Sequence, residues 1–146
     1  MNFIVSSATL LRHLQNISGV LNSSNTLPIL DNFKFSIKGN KLEIFATDLE
    51  TTMITKVEVQ SEEDGSVAVP AKMVLEVLKS LPDQPCTFKV NGENHKIEIS
   101  YDNGRAEMSG LNGAEFPKLP KIENQSTIKI SGEIVSNAIN RTLFAA

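Results

Sequence analysis

The spacing of apolar residues changes partway through the first seventeen positions of the chain. Phe3 and Val5 are two residues apart, as in a strand, whereas Leu10, Leu14 and Ile17 follow the spacing of a helix. The pattern predicts a short strand that runs into a helix with one apolar stripe. That stripe must face a sheet in order to leave water.

The same pattern of strand and helix starts again at Val67 and once more at Ile128. In the second copy Val67 and Val69 precede Val74 and Leu78, and in the third copy Ile128 and Ile130 precede Val135 and Ile139. Recurrence of a whole strand-to-helix unit is typical of repeated architecture. We therefore expect a chain built from copies of one folding unit.

Strand candidates follow each of the first two helices. Gly39-Asn40 and Asn91-Gly92 mark turns between them, and the alternation predicts antiparallel meanders with one buried face. Pro28 is expected to hold 26–30 in an extended approach to the first strand. The candidates lie at 33–37, 42–46 and 53–59 and again at 87–90, 96–101 and 105–111.

These elements predict an α+β fold of two βαβββ units, with helices at 7–21 and 71–81 packed on one side of antiparallel sheets. Two prolines among lysines give 115–125 the composition of a linker. We therefore place a first domain at 1–123. Residues 124–146, with a strand and a helix at 132–144, would open a second domain that the chain does not complete.

Composition narrows the class of protein. With 40% hydrophobic but only 5% aromatic residues and no Trp, the core must be mainly aliphatic. The single Cys86 excludes an internal disulfide and a cysteine-built zinc site, and favours a reducing, cytoplasmic compartment. There is neither a basic signal-peptide start nor a stretch of eighteen or so apolar residues. We expect a soluble, unexported protein that does not bind a membrane.

The distribution of charge matters more than its total. A net charge of -3 at first argues against a nucleic-acid partner. The three predicted helices nevertheless carry a net +2, which leaves -5 on the rest, and cations collected on one set of elements can attract a polyanion. The charged residues of the helices are Arg12, Lys72, Lys79 and Arg141 against Glu76 and Glu133.

No catalytic constellation emerges from the sequence. His13 and His95 fall in different elements without a nucleophile motif and are interpreted as surface residues. Phosphate-loop, dinucleotide-binding and zinc-protease motifs are absent. Asp48 and Glu50 could hold a divalent metal from one strand face, although Asp48 fits better as a turn-stabilising residue. We therefore predict a protein without enzymatic activity, cofactor or metal.

Five blocks of sequence carry a resemblance to a known family. They are 10–19, 26–30 (Thr-Leu-Pro-Ile-Leu), 47–50 (Thr-Asp-Leu-Glu), 69–71 (Val-Pro-Ala) and 115–119 (Glu-Phe-Pro-Lys-Leu). In their order and spacing the chain resembles, over all 146 residues, the bacterial sliding clamp, the β subunit of the DNA polymerase III holoenzyme. The resemblance implies a DNA clamp fold with three similar domains per subunit.

The resemblance also implies a function. Two subunits would close head to tail into a ring around duplex DNA, and this non-catalytic processivity factor would tether the replicative polymerase. The polymerase and the clamp loader would bind later domains that lie outside this chain. An α+β interaction module that encircles nothing is the alternative, and a small enzyme using Asp48 and Glu50 is a third and more remote one.

Two sets of site residues follow from the resemblance. The helices would line the hole, and Ser24, where the family often has a DNA-touching arginine, is a weaker polar candidate. The edge strand 105–111 and the flank of the second helix would form the joint of the ring, although we expect this chain alone to be monomeric. The DNA-facing candidates are Arg12, Gln15, Asn16, Ser24, Lys72, Lys79 and Arg141, and the interface candidates are Met73, Val77, Arg105, Ala106, Glu107 and Met108.

Overall fold

A computed structural model describes residues 1–21, 27–118, 126 and 128–146 of the chain. In this part of the chain the α-helices are α1 (Ser7–Ile17), α2 (Ala71–Ser80) and α3 (Gly132–Thr142). Short 3-10 helices continue α1 at Ser18–Val20 and α3 at Leu143–Ala145. The strands are β1 (Asn2–Ser6), β2 (Asn32–Lys38), β3 (Lys41–Thr47), β4 (Thr52–Glu58), β5 (Gln60–Ser61), β6 (Gly65–Pro70), β7 (Pro85–Val90), β8 (Lys96–Tyr101), β9 (Gly104–Ser109) and β10 (Leu111–Asn112).

The strands form two antiparallel sheets that exchange strands between the two repeated units. The first sheet has the order β5-β1-β7-β8-β9 and the second has the order β10-β6-β2-β3-β4. The opening strand of each unit thus pairs with the three-stranded meander of the other unit. The predicted α+β class and both meanders are confirmed, and the interlocking of the units is an addition to the sequence-based picture.

The two helices of the repeat lie against each other and pack on the sheets. α1 contacts β1, β3 and β4, whereas α2 contacts β2 and β6. Each helix buries the apolar stripe that its spacing predicts, for example Leu10 and Leu14 in α1 and Val74 and Leu78 in α2. This arrangement leaves the opposite side of both helices in solvent.

Aromatic rings from both sheets meet in the core. Phe3 and Phe88 belong to the first sheet and Phe35 to the second, and all three are buried. The Phe3 and Phe35 ring centroids are 6.3 Å apart, and those of Phe35 and Phe88 are 6.4 Å apart. Aliphatic residues surround these rings, so the largely aliphatic core expected from the composition is present with one aromatic cluster within it.

The approach to β2 differs from the extended segment expected around Pro28. Leu27 is extended, with φ -110° and ψ 116°, as a residue before proline must be. Pro28 itself begins a 3-10 helix, Pro28–Asp31. The buried Asn32 holds this turn, because its Nδ2 donates to the carbonyl oxygens of Pro28 at 2.9 Å and Ile29 at 3.2 Å.

The predicted strand 105–111 is two strands in different sheets. β9 ends at Ser109, and β10 pairs with β6 of the second sheet. Gly110 permits the crossing, because a Cβ there would lie 2.7 Å from the carbonyl oxygen of Ala68. The backbone N–H of Gly110 donates to the carbonyl of His95 at 3.0 Å, which fixes the point at which the chain changes sheet.

The start of the predicted second domain is only partly formed. α3 is present, but residues 128–131 are not a strand. An isolated strand has no neighbour for its N–H and C=O groups, and none of the described strands lies beside this segment. The apolar residues of α3, such as Ile134 and Ile139, are exposed. The predicted boundary between 123 and 124 lies outside the described residues.

No helix in the described part of the chain combines the length and the apolar character needed to cross a membrane.

Candidate nucleic-acid interface

The outer side of α1 carries three of the predicted DNA-facing residues. Arg12, Gln15 and Asn16 are exposed and lie opposite the buried stripe of Leu10 and Leu14. α1 contains no acidic residue. Its solvent side therefore offers one cation and two amides to a partner, with no carboxylate among them.

The outer side of α2 is also basic, with one acid among its cations. Lys72 and Lys79 are exposed opposite the buried Val74 and Leu78, and the exposed Glu76 shares their face. Because α1 and α2 lie against each other, the two solvent faces come from neighbouring helices. Together they carry three cations and one carboxylate.

The beginning of α1 is fixed to the loop that follows α2. The Ser6 hydroxyl accepts the backbone N–H of Thr9 at 3.2 Å and donates to the Asp83 carboxylate at 2.7 Å. The buried Ser7 donates its hydroxyl to the carbonyl of Pro82 at 2.8 Å and accepts the N–H of Gln84 at 3.1 Å. These bonds hold the two helices in one frame, so their solvent faces keep a fixed relationship.

The cations of α1 and α2 differ from several cations of the sheets in their ion pairing. Lys56, Lys96 and Arg105 form ion pairs with Glu43, Glu107 and Glu98. Within the described part of the chain, Arg12, Lys72 and Lys79 have no such partner. A mobile, unpaired surface cation is the kind of group that exchanges a counterion for a phosphate.

Two further DNA-facing candidates are not brought into this surface. Ser24 lies outside the described residues. Arg141 is exposed in the last turn of α3, and because no residue of α3 is buried, nothing in the described chain holds Arg141 beside the other cations.

Two regions carry the interface candidates. On the flank of α2, Met73 is 45% exposed and Val77 is half-buried. β9 is the edge strand of the first sheet, so one side of its backbone is open to a further strand. These features give an apolar flank and an unpaired strand edge in the same domain.

In β9, the side chains that we expected to meet a partner subunit, Ala106 and Met108, lie on the face that packs inside the domain. Met108 is only 4% exposed and packs in the core of the domain, and Ala106 on the same face is half-buried. The face expected to meet a partner is therefore the one that covers Ile97 and Ile99. Arg105 and Glu107 point to solvent, and the backbone edge remains available.

An ion-pair ladder covers the solvent face of β8 and β9. Glu98 and Glu107 lie directly opposite each other, a repulsive arrangement, but each has its own cation. Lys96 Nζ lies 2.6 Å from the Glu107 carboxylate, and Arg105 lies 3.8 Å from Glu98. The hydrogen bond and charge of Lys96 lower the pKa of Glu107 below its ordinary value. The edge thus keeps its charges largely matched.

The candidates for other chemistry have structural roles. His13 is not a free surface residue, because its Nδ1 shares a hydrogen bond of 2.6 Å with Oγ1 of Thr55 and links α1 to β4. Asp48 accepts the backbone N–H groups of Glu50 and Thr51 at 3.0 Å and 2.7 Å, as expected of a turn-stabilising residue. Asp48 and Glu50 lie in the turn between β3 and β4 and not on a strand face. Among the described residues no cluster of His, Cys, Asp and Glu could hold a metal ion.

Comparison with known proteins gives one consistent result. The family described as DNA polymerase III beta subunit, N-terminal domain, matches residues 1–120. The chain is 30% identical to the beta sliding clamp of Vibrio cholerae, over 99% of this chain but only 40% of that protein.

Solved structures agree with this match. The chain superimposes on a DNA polymerase sliding clamp from Caulobacter crescentus with a TM-score of 0.89 at 27% identity. The match covers 99% of this chain and 39% of the Caulobacter chain. The DNA polymerase III subunit beta from Pseudomonas aeruginosa has a TM-score of 0.88 at 29% identity, with the same coverage of 99% and 39%.

Proposed function

Because this chain belongs to the family of the DNA polymerase III beta subunit, N-terminal domain, we propose that it is part of a DNA sliding clamp. It would supply the first domain, residues 1–123, and the opening of the second domain, residues 124–146. The interaction module that encircles nothing is not favoured, since relatives and structural neighbours alike are named sliding clamps.

The unpaired cations of α1 and α2 are the main support for a DNA-facing surface. Arg12, Lys72 and Lys79 extend from two neighbouring helices, and Gln15 and Asn16 add neutral donors beside Arg12. Such groups contact phosphates without reading bases. Arg141 and Ser24 would join them in the complete subunit.

A sliding clamp needs attraction to DNA without a fixed grip. Each phosphate contact made by an exposed lysine or arginine exchanges for the next one along the duplex, because the interaction is electrostatic and does not depend on sequence. Glu76 lies among the cations of α2 and moderates their field. The complete protein would thus be held by encirclement and not by affinity, without catalytic chemistry of its own.

The joint of the ring would use the open edge of β9. A strand from a second subunit would continue the first sheet by main-chain hydrogen bonds, and Met73 and Val77 would add apolar contact beside it. Arg105 and Glu107 would meet the partner from the solvent face, while Ala106 and Met108 support the strand from within the core. In dilute solution we expect this chain alone to be a monomer, and a tight dimer in sedimentation would contradict that expectation.

The remaining partners belong to the complete subunit. A replicative polymerase and a clamp loader would bind its later domains. We expect a cytoplasmic location, because a sliding clamp acts on chromosomal DNA and because Cys86 is a free, buried thiol.

A chimera tests encirclement. In it this chain replaces the matching segment of the Vibrio cholerae beta sliding clamp, and a clamp loader places it on nicked circular duplex DNA. We expect the chimera to remain on circular DNA through gel filtration and to escape once a restriction enzyme makes the DNA linear. A chimera that is dimeric by size but leaves circular and linear DNA equally fast would refute the proposal.

A further inference from the structure

A cleft with a volume of about 250 Å³ opens on the second sheet, away from the helices' solvent face. Phe45 of β3 and Phe116, which follows β10, provide its apolar walls, and Leu49 stands at its mouth. Phe116 is buried although it is outside the main core cluster. The cleft is thus a separate apolar site, with room for one or two side chains.

The turn that carries Leu49 is held rigidly. Asp48 accepts two backbone N–H groups of the turn, and the hydroxyl of the buried Thr47 donates to the carbonyl of Thr51 at 2.9 Å. Leu49 has φ 80°, a left-handed conformation that costs a leucine about 1 kcal/mol or more. The side chain is nevertheless 57% exposed, so its own burial does not offset this strain.

The two charged side chains that line the cleft are both cations, although Asp48 and Glu50 lie on either side of Leu49 in the neighbouring turn. Lys34 and Lys118 both line it, and no carboxylate does so among the described residues. Lys34 Nζ lies 5.6 Å from the centroid of the Phe45 ring, which keeps a cation over the apolar wall. A larger cleft of about 960 Å³, lined by both sheets, contains Lys38 and Lys41 but also Glu58 and Asp83, so it selects no charge.

We propose that this cleft binds an acidic peptide segment of a partner protein. One aliphatic side chain of the segment packs between Phe45, Leu49 and Phe116, and carboxylates on either side pair with Lys34 and Lys118. Charge complementarity selects an acidic partner, and the rigid display of Leu49 reduces the entropy lost on binding. This site is distinct from the proposed DNA-facing surface.

The test uses the complete 146-residue chain, labelled with ¹⁵N, and a short synthetic probe. Acetyl-Glu-Ile-Glu-Glu-amide should give saturable amide shifts at Phe45, Leu49 and Phe116. The same peptide with lysine for each glutamate, or with glycine for isoleucine, should bind at least about fivefold more weakly, the scale of one partly exposed ion pair. Equal binding of all three peptides would overturn the proposal.

Variants and other ligands separate the remaining outcomes. Lys118→Glu should weaken binding of the acidic peptide about fivefold or more, whereas Lys38→Glu, an exposed lysine outside the cleft, should not change it. Leu49→Gly suits the left-handed backbone and should fold normally, yet bind the peptide more weakly. Unchanged affinity in both cleft variants would overturn the proposal. So would shifts of the same amides by duplex DNA, or by raising the concentration of the protein alone.

Discussion

The rings of Phe3 and Phe88 stack with their centroids 4.8 Å apart and their planes 11° apart, although the two residues come from different repeated units. They are also direct partners in the pairing of β1 with β7. Pairing between strands of different units recurs in the second sheet, where Val67 of β6 is the direct partner of Phe35 in β2. Each unit therefore completes the other's sheet, and neither unit has a complete sheet of its own.

Removing either ring of this stack should destabilise the whole domain. Phe3→Ala and Phe88→Ala should each lower the free energy of unfolding by about 3–5 kcal/mol, because each leaves a cavity among buried rings. The double variant should lose about 0.5–1.5 kcal/mol less than the sum, which is the coupling of a stacked pair. Urea unfolding followed by circular dichroism measures all three values.

A matched control comes from the 3-10 helix that follows α3, where Phe144 is 88% exposed. Phe144→Ala should change the free energy of unfolding by less than about 0.5 kcal/mol.

If strands were not exchanged between the units, unfolding of the Phe88→Ala variant would proceed in two steps and leave β2 to β4 protected from hydrogen exchange. A single cooperative loss of protection is expected instead.

Gly110 should tolerate no side chain. In Gly110→Ala the added Cβ would lie 2.7 Å from the Ala68 carbonyl oxygen and 2.9 Å from Ile97 Cδ1, both in packed surroundings. We expect a loss of about 1–3 kcal/mol in the free energy of unfolding, as in other overpacked sites. Gly19→Ala is the control, since apart from its chain neighbours none of the described residues lies within 4 Å of the position that its Cβ would take. Equal melting temperatures for the two variants would show that the sheet crossing at Gly110 is not closely packed.

Local patterns in the sequence predict most of the elements but not their partners. The change from strand to helix spacing locates β1 with α1 and β6 with α2, because periodicity depends only on which face is buried. It does not say which strand lies beside which, so it does not predict the exchange of β1 and β6 between the meanders. Gly110 shows the same limit, since its role depends on Ala68 and Ile97 of other strands.

For the candidate site too, local spacing predicts some features, whereas others depend on tertiary contacts. Helical spacing predicts correctly that Arg12, Lys72 and Lys79 lie opposite the buried stripes. The partner role of Met108 rests on the family resemblance and stays a prediction, whereas strand spacing indicates only that Ala106 and Met108 share a face, which is the core-facing side of β9. Leu49 gives no local signal of its left-handed backbone, which arises from the hydrogen bonds of Thr47 and Asp48.

The cations of α1 and α2 should carry the salt dependence of DNA binding. For a short duplex in fluorescence anisotropy, the triple variant Arg12→Ala, Lys72→Ala and Lys79→Ala should flatten the plot of log K against log salt. The slope should change by up to about 0.9 for each phosphate that the variant no longer neutralises. Because this chain alone should bind DNA weakly, the measurement needs low ionic strength, where electrostatic interactions are least screened.

Three exposed lysines of the sheets provide the matched comparison, because Lys38, Lys41 and Lys89 lie outside α1 and α2. Their triple replacement by alanine changes the net charge equally and should leave the slope nearly unaltered. Equal slopes for the two triple variants would mean that the net charge governs binding, and the helical surface would lose its proposed role.

Cys86 should make the stability of the domain fall at alkaline pH. Its thiol is buried in β7, and this burial, followed by the nearby charges of Asp102 and Asp83, raises its pKa above the ordinary 9.0. The unfolded chain therefore loses this proton at a lower pH than the folded chain. The resulting stabilisation is complete below pH 9.0 and is lost as the pH rises through the folded-state pKa, with a slope of at most about 1.4 kcal/mol per pH unit.

Cys86→Ala isolates the contribution of this thiol. The cavity left by the smaller side chain lowers stability at every pH, but the difference between variant and parent should shrink as the pH rises from about 8 to above about 10, because only the parent carries the buried thiol. Urea unfolding across that range measures the difference. Parallel curves for the two proteins would mean that the thiolate is accommodated in the folded state, and a thiol reagent would then label Cys86 without prior unfolding.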